Sequence, residues 1–275
     1  MAHKILPHEQ EIDLLNVAFE NPRVIKAASS LAGLRNEGFE SGYEACPDRM
    51  TGRASHAELS SLCQGRSWHF VPINIPFEEL TEHRATILEL MWPHDTEMDF
   101  SISCALYFAS RGSGLREEDA AKTKESYVTP AQVLLSGFGA DELFGGYSRH
   151  AAAYRRGGPE DLVKELRLDF ERIAKRNLGR DDRVISTWGK EVRYPYLDED
   201  LVSWALQTPV LRKCAFGQGN DEATGLDPSK RLLRLAAWNL GLHKAAREPK
   251  RAIQFGARTA KMTNGKAKGT QTVRR

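Results

Sequence analysis

The apolar positions of this chain change rhythm about halfway along. Ile12-Asp13-Leu14-Leu15-Asn16-Val17-Ala18-Phe19 is a mostly apolar run closed by Asn21-Pro22. Such a run predicts a central strand of a parallel sheet, covered on both faces. Residues 67–75, with Phe70, Val71, Ile73 and Ile75, predict the next strand. Pro72 lies inside it, cannot donate to a ladder, and points to an edge position or a bulge. Between the two, a short helix is expected at 23–34 and a surface loop over the Gly-, Ser- and Glu-rich run 37–45. Ser55-His56-Ala57-Glu58 has the S-x-x-E form that caps a helix, predicted to run to about residue 63. Helical spacing returns at 76–91 (Phe77, Leu80, Ile87, Leu88, Leu90) and at 98–111 (Ile102, Ala105, Leu106, Ala109), with Gly112-Ser113-Gly114 ending the second helix. The polar stretch 116–127 reads as a loop insertion.

Val133-Leu134-Leu135 reads as a further buried parallel strand. Beyond about residue 145 only helical patterns follow. Pro159-Glu160-Asp161-Leu162 opens a long amphipathic helix with Leu162, Leu166, Phe170 and Ile173 on one face, and shorter helices are expected at 200–207, 228–240 and 243–247. Alternation of strand and helix, then helices alone, predicts an α/β fold with a parallel sheet and an all-helical C-terminal half.

Composition narrows the classes without choosing one. The chain has 275 residues, 41% of them hydrophobic and 28% charged, with a formal net charge of +2. That is enough apolar material for a sizeable core, and too little basic excess to argue for nucleic acid. The residues from about 263 to 275 are basic and polar and read as a disordered tail. The four cysteines, Cys46, Cys63, Cys104 and Cys214, form no C-x-x-C pair, so zinc is not expected. Cys63 and Cys104 lie in apolar patterns and read as buried, reduced residues of a cytoplasmic protein. No stretch approaches the roughly 20 apolar residues of a membrane helix.

The chemistry concentrates in VLLSGFGADELFGGY, residues 133–147. Two glycines, Gly137 and Gly139, let the backbone turn and approach a ligand just past the C-terminal end of a strand, where open α/β sheets bind. Asp141 offers a hard oxygen donor suited to Mg²⁺ on a phosphate-bearing ligand. Taken by itself the segment is equally compatible with an ordinary strand–turn–helix junction capped by an aspartate.

SGFGADELFGGY resembles the second nucleotide-site motif of the asparagine synthetase domain family, SG-x-G-[SA]-DE-x-FGGY. Two later blocks resemble the same family in the same order: NLGRDDR at 177–183 with WGKEVRYPYLD at 188–198, and PKRAIQFG at 249–256. The resemblance covers most of residues 12–262. It implies a sheet of the ATP-pyrophosphatase (adenine nucleotide α-hydrolase-like) type, with an α/β part over about 12–150 and a helical part over about 151–262. It implies ATP-dependent amidation of aspartate to asparagine, with ATP and Mg²⁺ as cofactors and aspartate and ammonia as substrates. By the same resemblance, Ser136 and Gly137 touch the nucleotide, Val17 lies where the backbone meets adenine, Asp141 holds the metal, and Lys250 or Arg251 serves the phosphates. Neither nucleic acid nor membrane is expected as a partner.

Three departures stand against full activity. No SGG-x-DS motif, the family's first phosphate loop, occurs in the chain, and the strand that carries it is expected to be missing before Ile12. The glutamine-hydrolysing domain with its N-terminal cysteine is absent; position 2 is Ala2, so ammonia made from glutamine would have to come from another chain. Phe138 stands between the two glycines where the family's active members carry a glutamate able to act as a base. A truncated product, or a non-catalytic relative that keeps the fold and some nucleotide affinity, is the alternative expectation.

Overall fold

The computed structural model describes residues 2–22, 42–117, 124–218, 221–260 and 268–273. The helix expected at 23–34 and most of the loop expected at 37–45 lie outside them. Two compact units emerge: one made of Met1–Gln132, Arg180–Glu191 and Arg251–Arg275, the other of Val133–Gly179 and Val192–Lys250.

The first unit begins with a short helix α1 (Ala2–Ile5) and strand β1 (Ile12–Phe19). Helix α2 (Pro47–Leu62) leads to strand β2 (Trp68–Ile75), which pairs parallel to β1 from Ile12 opposite Trp68 through Phe19 opposite Ile75. Pro72 faces Asn16 in this register without a bulge. Its missing N–H matters little because, among the described residues, β2 pairs with no strand but β1. Helix α2 starts nine residues earlier than the S-x-x-E box suggests, with Cys46 rather than Ser55 at the cap: Pro47 supplies the favoured first-turn proline, and Ser55 and Glu58 fall inside the helix. The fully buried Arg49 of α2 ties the helix to the sheet, donating to Asn16 Oδ1 (2.6 Å), Asn74 Oδ1 (2.8 Å) and Glu44 Oε1 (2.9 Å).

Helices α3 (Phe77–Leu90) and α4 (Glu97–Arg111) cover the sheet. Thr96 caps α4 by accepting from the Asp99 N–H at 3.2 Å, and Gly112 ends it in the left-handed region at φ 70°. The core joins Phe19, Ile73 and Ile75 of the strands to Leu80, Ile87 and Phe108 of the helices.

The described residues of the stretch read as a loop insertion, 116–117 and 124–127, are strand. They contribute to an antiparallel hairpin of β3 (Ser113–Glu117) and β4 (Lys124–Val128). Its polar character hid a second bonding surface. Buried Asp13 on β1 accepts from the Tyr127 hydroxyl (2.9 Å) and from Thr129 Oγ1, and receives His69 Nδ1 at 3.0 Å. Gly114 lies so close to β2 that a Cβ would meet the Pro72 carbonyl oxygen at 2.6 Å. Within the stretch read as a disordered tail, Thr272 bridges Thr96, and the Val273 N–H donates to the Asp95 carbonyl at 2.6 Å.

The second unit opens on strand β5 (Val133–Leu135) and continues into helices α5 (Ala140–Phe144) and α6 (Ser148–Ile173). Strand β5 corrects the expectation of a buried strand: Val133 is 50% and Leu135 64% exposed. Helix α6 begins well before Pro159; Gly157 and Gly158 break its regular geometry, and Pro159 restarts it in the first-turn position. A π-helical turn follows; α7 (Gly179–Ser186), nearly all of it in the first unit, leads to a three-residue strand β6 (Glu191–Arg193) beside β5, so the C-terminal half is not purely helical. Three residues are too few for a period-2 signal.

Helices α8 (Glu199–Gln207), α9 (Val210–Lys213), α10 (Arg231–Asn239), α11 (His243–Arg247) and α12 (Ile253–Gly256) complete the described elements, the last in the first unit. Leu162 and Leu166 of α6 pack with Cys214, and Leu143 and Phe144 of α5 with Ala205 of α8. All four cysteines are free; Cys46, Cys104 and Cys214 are buried, but Cys63 is only half-buried. Among the described residues no helix is long and apolar enough to cross a membrane.

Candidate functional site

The loop after β5 is built by its glycines. Ser136 donates its N–H to the Arg193 carbonyl at 2.9 Å, and its hydroxyl oxygen accepts from the Phe138 N–H at 3.3 Å. Gly137 faces open space, with no atom within 4 Å of where a Cβ would stand. Gly139 has φ 95°, and a side chain there would also strike Leu197 at 2.6 Å. It is therefore a glycine for two independent reasons. The turn starts α5 one residue before Asp141.

Asp141 is the focus of the charges. Its Oδ1 lies 2.8 Å from Lys230 Nζ and its Oδ2 lies 2.7 Å from Lys250 Nζ. Oδ1 is buried and lacks an aligned hydrogen bond, so the Lys230 contact acts as close charge attraction. Burial by itself would push the Asp141 carboxyl up; Lys230 and Lys250 outweigh it and hold the carboxyl below its usual range. The carboxylate is thus ionised and pairs with both ammoniums.

Glu142, the next residue, behaves oppositely. Burial raises its carboxyl, against the bond from Tyr147 and with Asp141 adding to the rise. Its Oε1 accepts from the Tyr147 hydroxyl at 2.5 Å, while Oε2 is buried without a hydrogen-bond partner. The Tyr147 ring carries Arg149 over its face (3.9 Å to the centroid) and Lys250 farther off (5.5 Å). Arg149 Nε donates to Asp169 Oδ2 at 2.8 Å. Fully buried His150 binds the same oxygen through Nε2 at 2.8 Å and accepts the Tyr147 N–H on Nδ1 at 3.2 Å. That pattern assigns the His150 proton to Nε2.

The profile of the family described as asparagine synthase matches residues 120–162 and 155–269. The chain belongs to the asparagine synthase family. It is 41% identical over 298 residues to the asparagine synthetase domain-containing protein 1 of Gallus gallus, covering 100% of this chain and 45% of that protein. The Homo sapiens protein of the same name is 42% identical over 286 residues, covering 95% of this chain and 43% of the relative. A Saccharomyces cerevisiae asparagine synthetase domain-containing protein is 39% identical over 267 residues, covering 96% and 44%. The chain spans less than half the length of these relatives.

The sequence resemblance to the asparagine synthase family is therefore borne out. Of the residues it pointed to, the structure brings Asp141 and Lys250 into contact, and Ser136 and Gly137 share the loop that leads to them. Arg251 and Val17 belong to the other unit. Arg251 Nη1 lies 3.7 Å from Asp48 Oδ1, and the Val17 side chain is buried in the core. Lys230, Glu142 and Tyr147 carry more of the charge geometry than sequence reasoning assigned them. Glu142 and Tyr147 lie inside the quoted motif and could have been singled out. Lys230 has no pattern around it: it reaches Asp141 from a left-handed backbone turn at φ 50°, which no local sequence rule assigns to lysine.

Proposed function

We propose that this chain forms the nucleotide-handling part of an asparagine synthetase-type domain, in which ATP activates the side-chain carboxylate of aspartate as an acyl-adenylate and ammonia displaces AMP to give asparagine. The observation that carries this reading is the Asp141–Lys230–Lys250 cluster at the start of α5. Mg²⁺ is bound in proteins through one or two carboxylates together with substrate phosphates. Asp141 supplies one such carboxylate; Lys230 and Lys250, which hold its two oxygens, would have to turn to the phosphates for a metal to reach it. When bound, the metal would neutralise phosphate charge. Lys230 and Lys250 would hold pyrophosphate oxygens, and Ser136 and Gly137 would line the nucleotide side of the loop. Ammonia would reach the site free or from another chain. Four free cysteines suit the reducing cytoplasm as its location.

The ATP-pyrophosphatase type of sheet belongs to this reading. Its support is that, among the described residues, β1 and β2 pair in parallel with one another. Parallel sheets are normally larger and covered on both faces.

One observation favours a second reading, a non-catalytic domain that retains the fold. Phe138 stands in the place of a carboxylate and packs edge-on against Tyr194, with ring centroids 5.8 Å apart. A phenyl ring cannot accept a proton from an attacking amine. The deciding measurement is pyrophosphate release with ATP, Mg²⁺, aspartate and ammonia. Release well above an Asp141→Ala control supports the synthetase. Saturable Mg²⁺–ATP binding without release supports the second reading, and neither binding nor release at millimolar nucleotide overturns both.

A further inference from the structure

Three contacts restrain Tyr147. Its hydroxyl is held by Glu142 at 2.5 Å, its backbone N–H by His150 at 3.2 Å, and one face by Arg149 at 3.9 Å. Arg149 and His150 are both fixed on Asp169, so the restraints close into a loop: Tyr147 N–H to His150, His150 to Asp169, Asp169 to Arg149, Arg149 to the ring. Side chains locked by their neighbours in this way serve to place other groups.

The group it faces is Lys250. Among the described residues the Lys250 ammonium has two contacts, the Asp141 carboxylate at 2.7 Å and the Tyr147 ring at 5.5 Å. The two lysines differ here. Lys230 is fixed by its backbone, its N–H donating to the Phe144 carbonyl at 3.2 Å and its carbonyl accepting the Arg234 N–H at 3.0 Å. Lys250 follows Pro249 in a stretch without regular structure. A ligand that takes Asp141 for its metal removes the counter-ion of both ammoniums. Lys230 then has a fixed main chain under its stem, whereas Lys250, on an irregular stretch, has the Tyr147 ring beside its ammonium.

We propose that Tyr147 is a positioning residue for Lys250: its ring face retains the ammonium beside Asp141 when that carboxylate turns to a metal–phosphate ligand, so that the phosphate meets Lys250 in place. The proposal rests on the reading of Asp141 given above.

Two measurements test it, and the first needs no ligand. The rate at which acetic anhydride labels Lys250 is read by peptide mass spectrometry against exposed Lys164. Asp141→Asn, which removes the carboxylate charge, is compared with Asp141→Asn/Tyr147→Leu and Asp141→Asn/Tyr147→Phe. An ammonium over a ring is held by roughly 0.5–1 kcal/mol at exposed sites and about 2 when desolvated. Loss of the ring should therefore speed labelling by about 2- to 30-fold, while the phenylalanine variant, which keeps packing and ring, stays at the Asp141→Asn rate. Equal rates in all three overturn the proposal.

The second measurement is calorimetric titration with inorganic pyrophosphate and Mg²⁺. Tyr147→Leu should weaken binding about 5- to 30-fold in the otherwise native chain and by less than about 2-fold in a Lys250→Ala background. An equal loss in both backgrounds shows that Tyr147 does not act through Lys250 and overturns the proposal. If the native chain binds no pyrophosphate, the reading of Asp141 fails, and the labelling rates alone decide whether the ring holds Lys250.

Discussion

The Asp141 carboxylate rests directly on the Cα of Gly146, so closely that a Cβ at Gly146 would overlap its Oδ1. The second glycine of the GGY segment is therefore a spacing device. It lets the chain leave α5 and fold back over the carboxylate, so that Asp141 is covered on one side while Lys230 and Lys250 hold its oxygens.

Gly146→Ala should displace Asp141 from its lysines as well as strain the turn. Added methyl groups in packed sites cost about 1–3 kcal/mol. Denaturant unfolding should show a loss in that range, with Mg²⁺-dependent pyrophosphate binding falling at the same time. A variant with native stability and native binding would show that the turn relaxes and that the glycine is not needed for the carboxylate.

Lys230 offers the opposite separation of stability from binding. It is one of two described non-glycine residues with positive φ. A side chain in the left-handed region costs about 1 kcal/mol relative to glycine. Lys230→Gly should therefore be more stable than Lys230→Ala by about that amount, while both lose anion affinity to a similar degree. Thermal unfolding and pyrophosphate titration of the two variants read this directly. Equal stabilities would mean that the backbone at 230 is not strained.

The sequence made one half of the site legible and concealed the other. Glycines and acids in SGFGADELFGGY carry their reasons locally: Gly139 and Gly145 need positive φ, and Asp141 follows a turn. Strands β1 and β2 were equally plain, because eight-residue apolar runs leave little choice. What escaped were features whose causes lie far along the chain. The hairpin β3–β4 depends on Asp13, more than a hundred residues before Tyr127. Arg49 looks like a surface residue of a polar helix, yet it is buried because Asn16, Asn74 and Glu44 converge on it. Lys230 is brought to Asp141 by a turn with no local signature.

Strand β5 shows how a correct element can carry a wrong environment. Its apolar residues suggested burial, but Leu135 is 64% exposed. Leu135→Ala should consequently change the stability of this chain by no more than about 0.5 kcal/mol, the range of ordinary surface substitutions. A buried leucine would cost about 2–5 kcal/mol. Urea unfolding distinguishes the two, and a cost in the larger range would place a further element over β5.

Asp169 carries the clearest dependence on pH. Burial pushes its carboxyl up, but the bonds from His150 and Arg149 overcome burial and hold it below its ordinary value of 3.8. A depressed carboxyl contributes stability that is fully present above the unfolded value and disappears as pH falls through the folded one. The native chain should therefore exceed Asp169→Asn by an amount that is constant between about pH 5 and 8. Hydrogen bonds to a charged group are worth about 1.5–3 kcal/mol each, so a loss of that order is expected at pH 7. Below pH 3.8 the two proteins should converge as Asp169 takes up its proton. Denaturant midpoints at a series of pH values test the sign: a gap that widens toward acid would mean that Asp169 is protonated in the folded state and that the loop restraining Tyr147 is held by neutral hydrogen bonds instead.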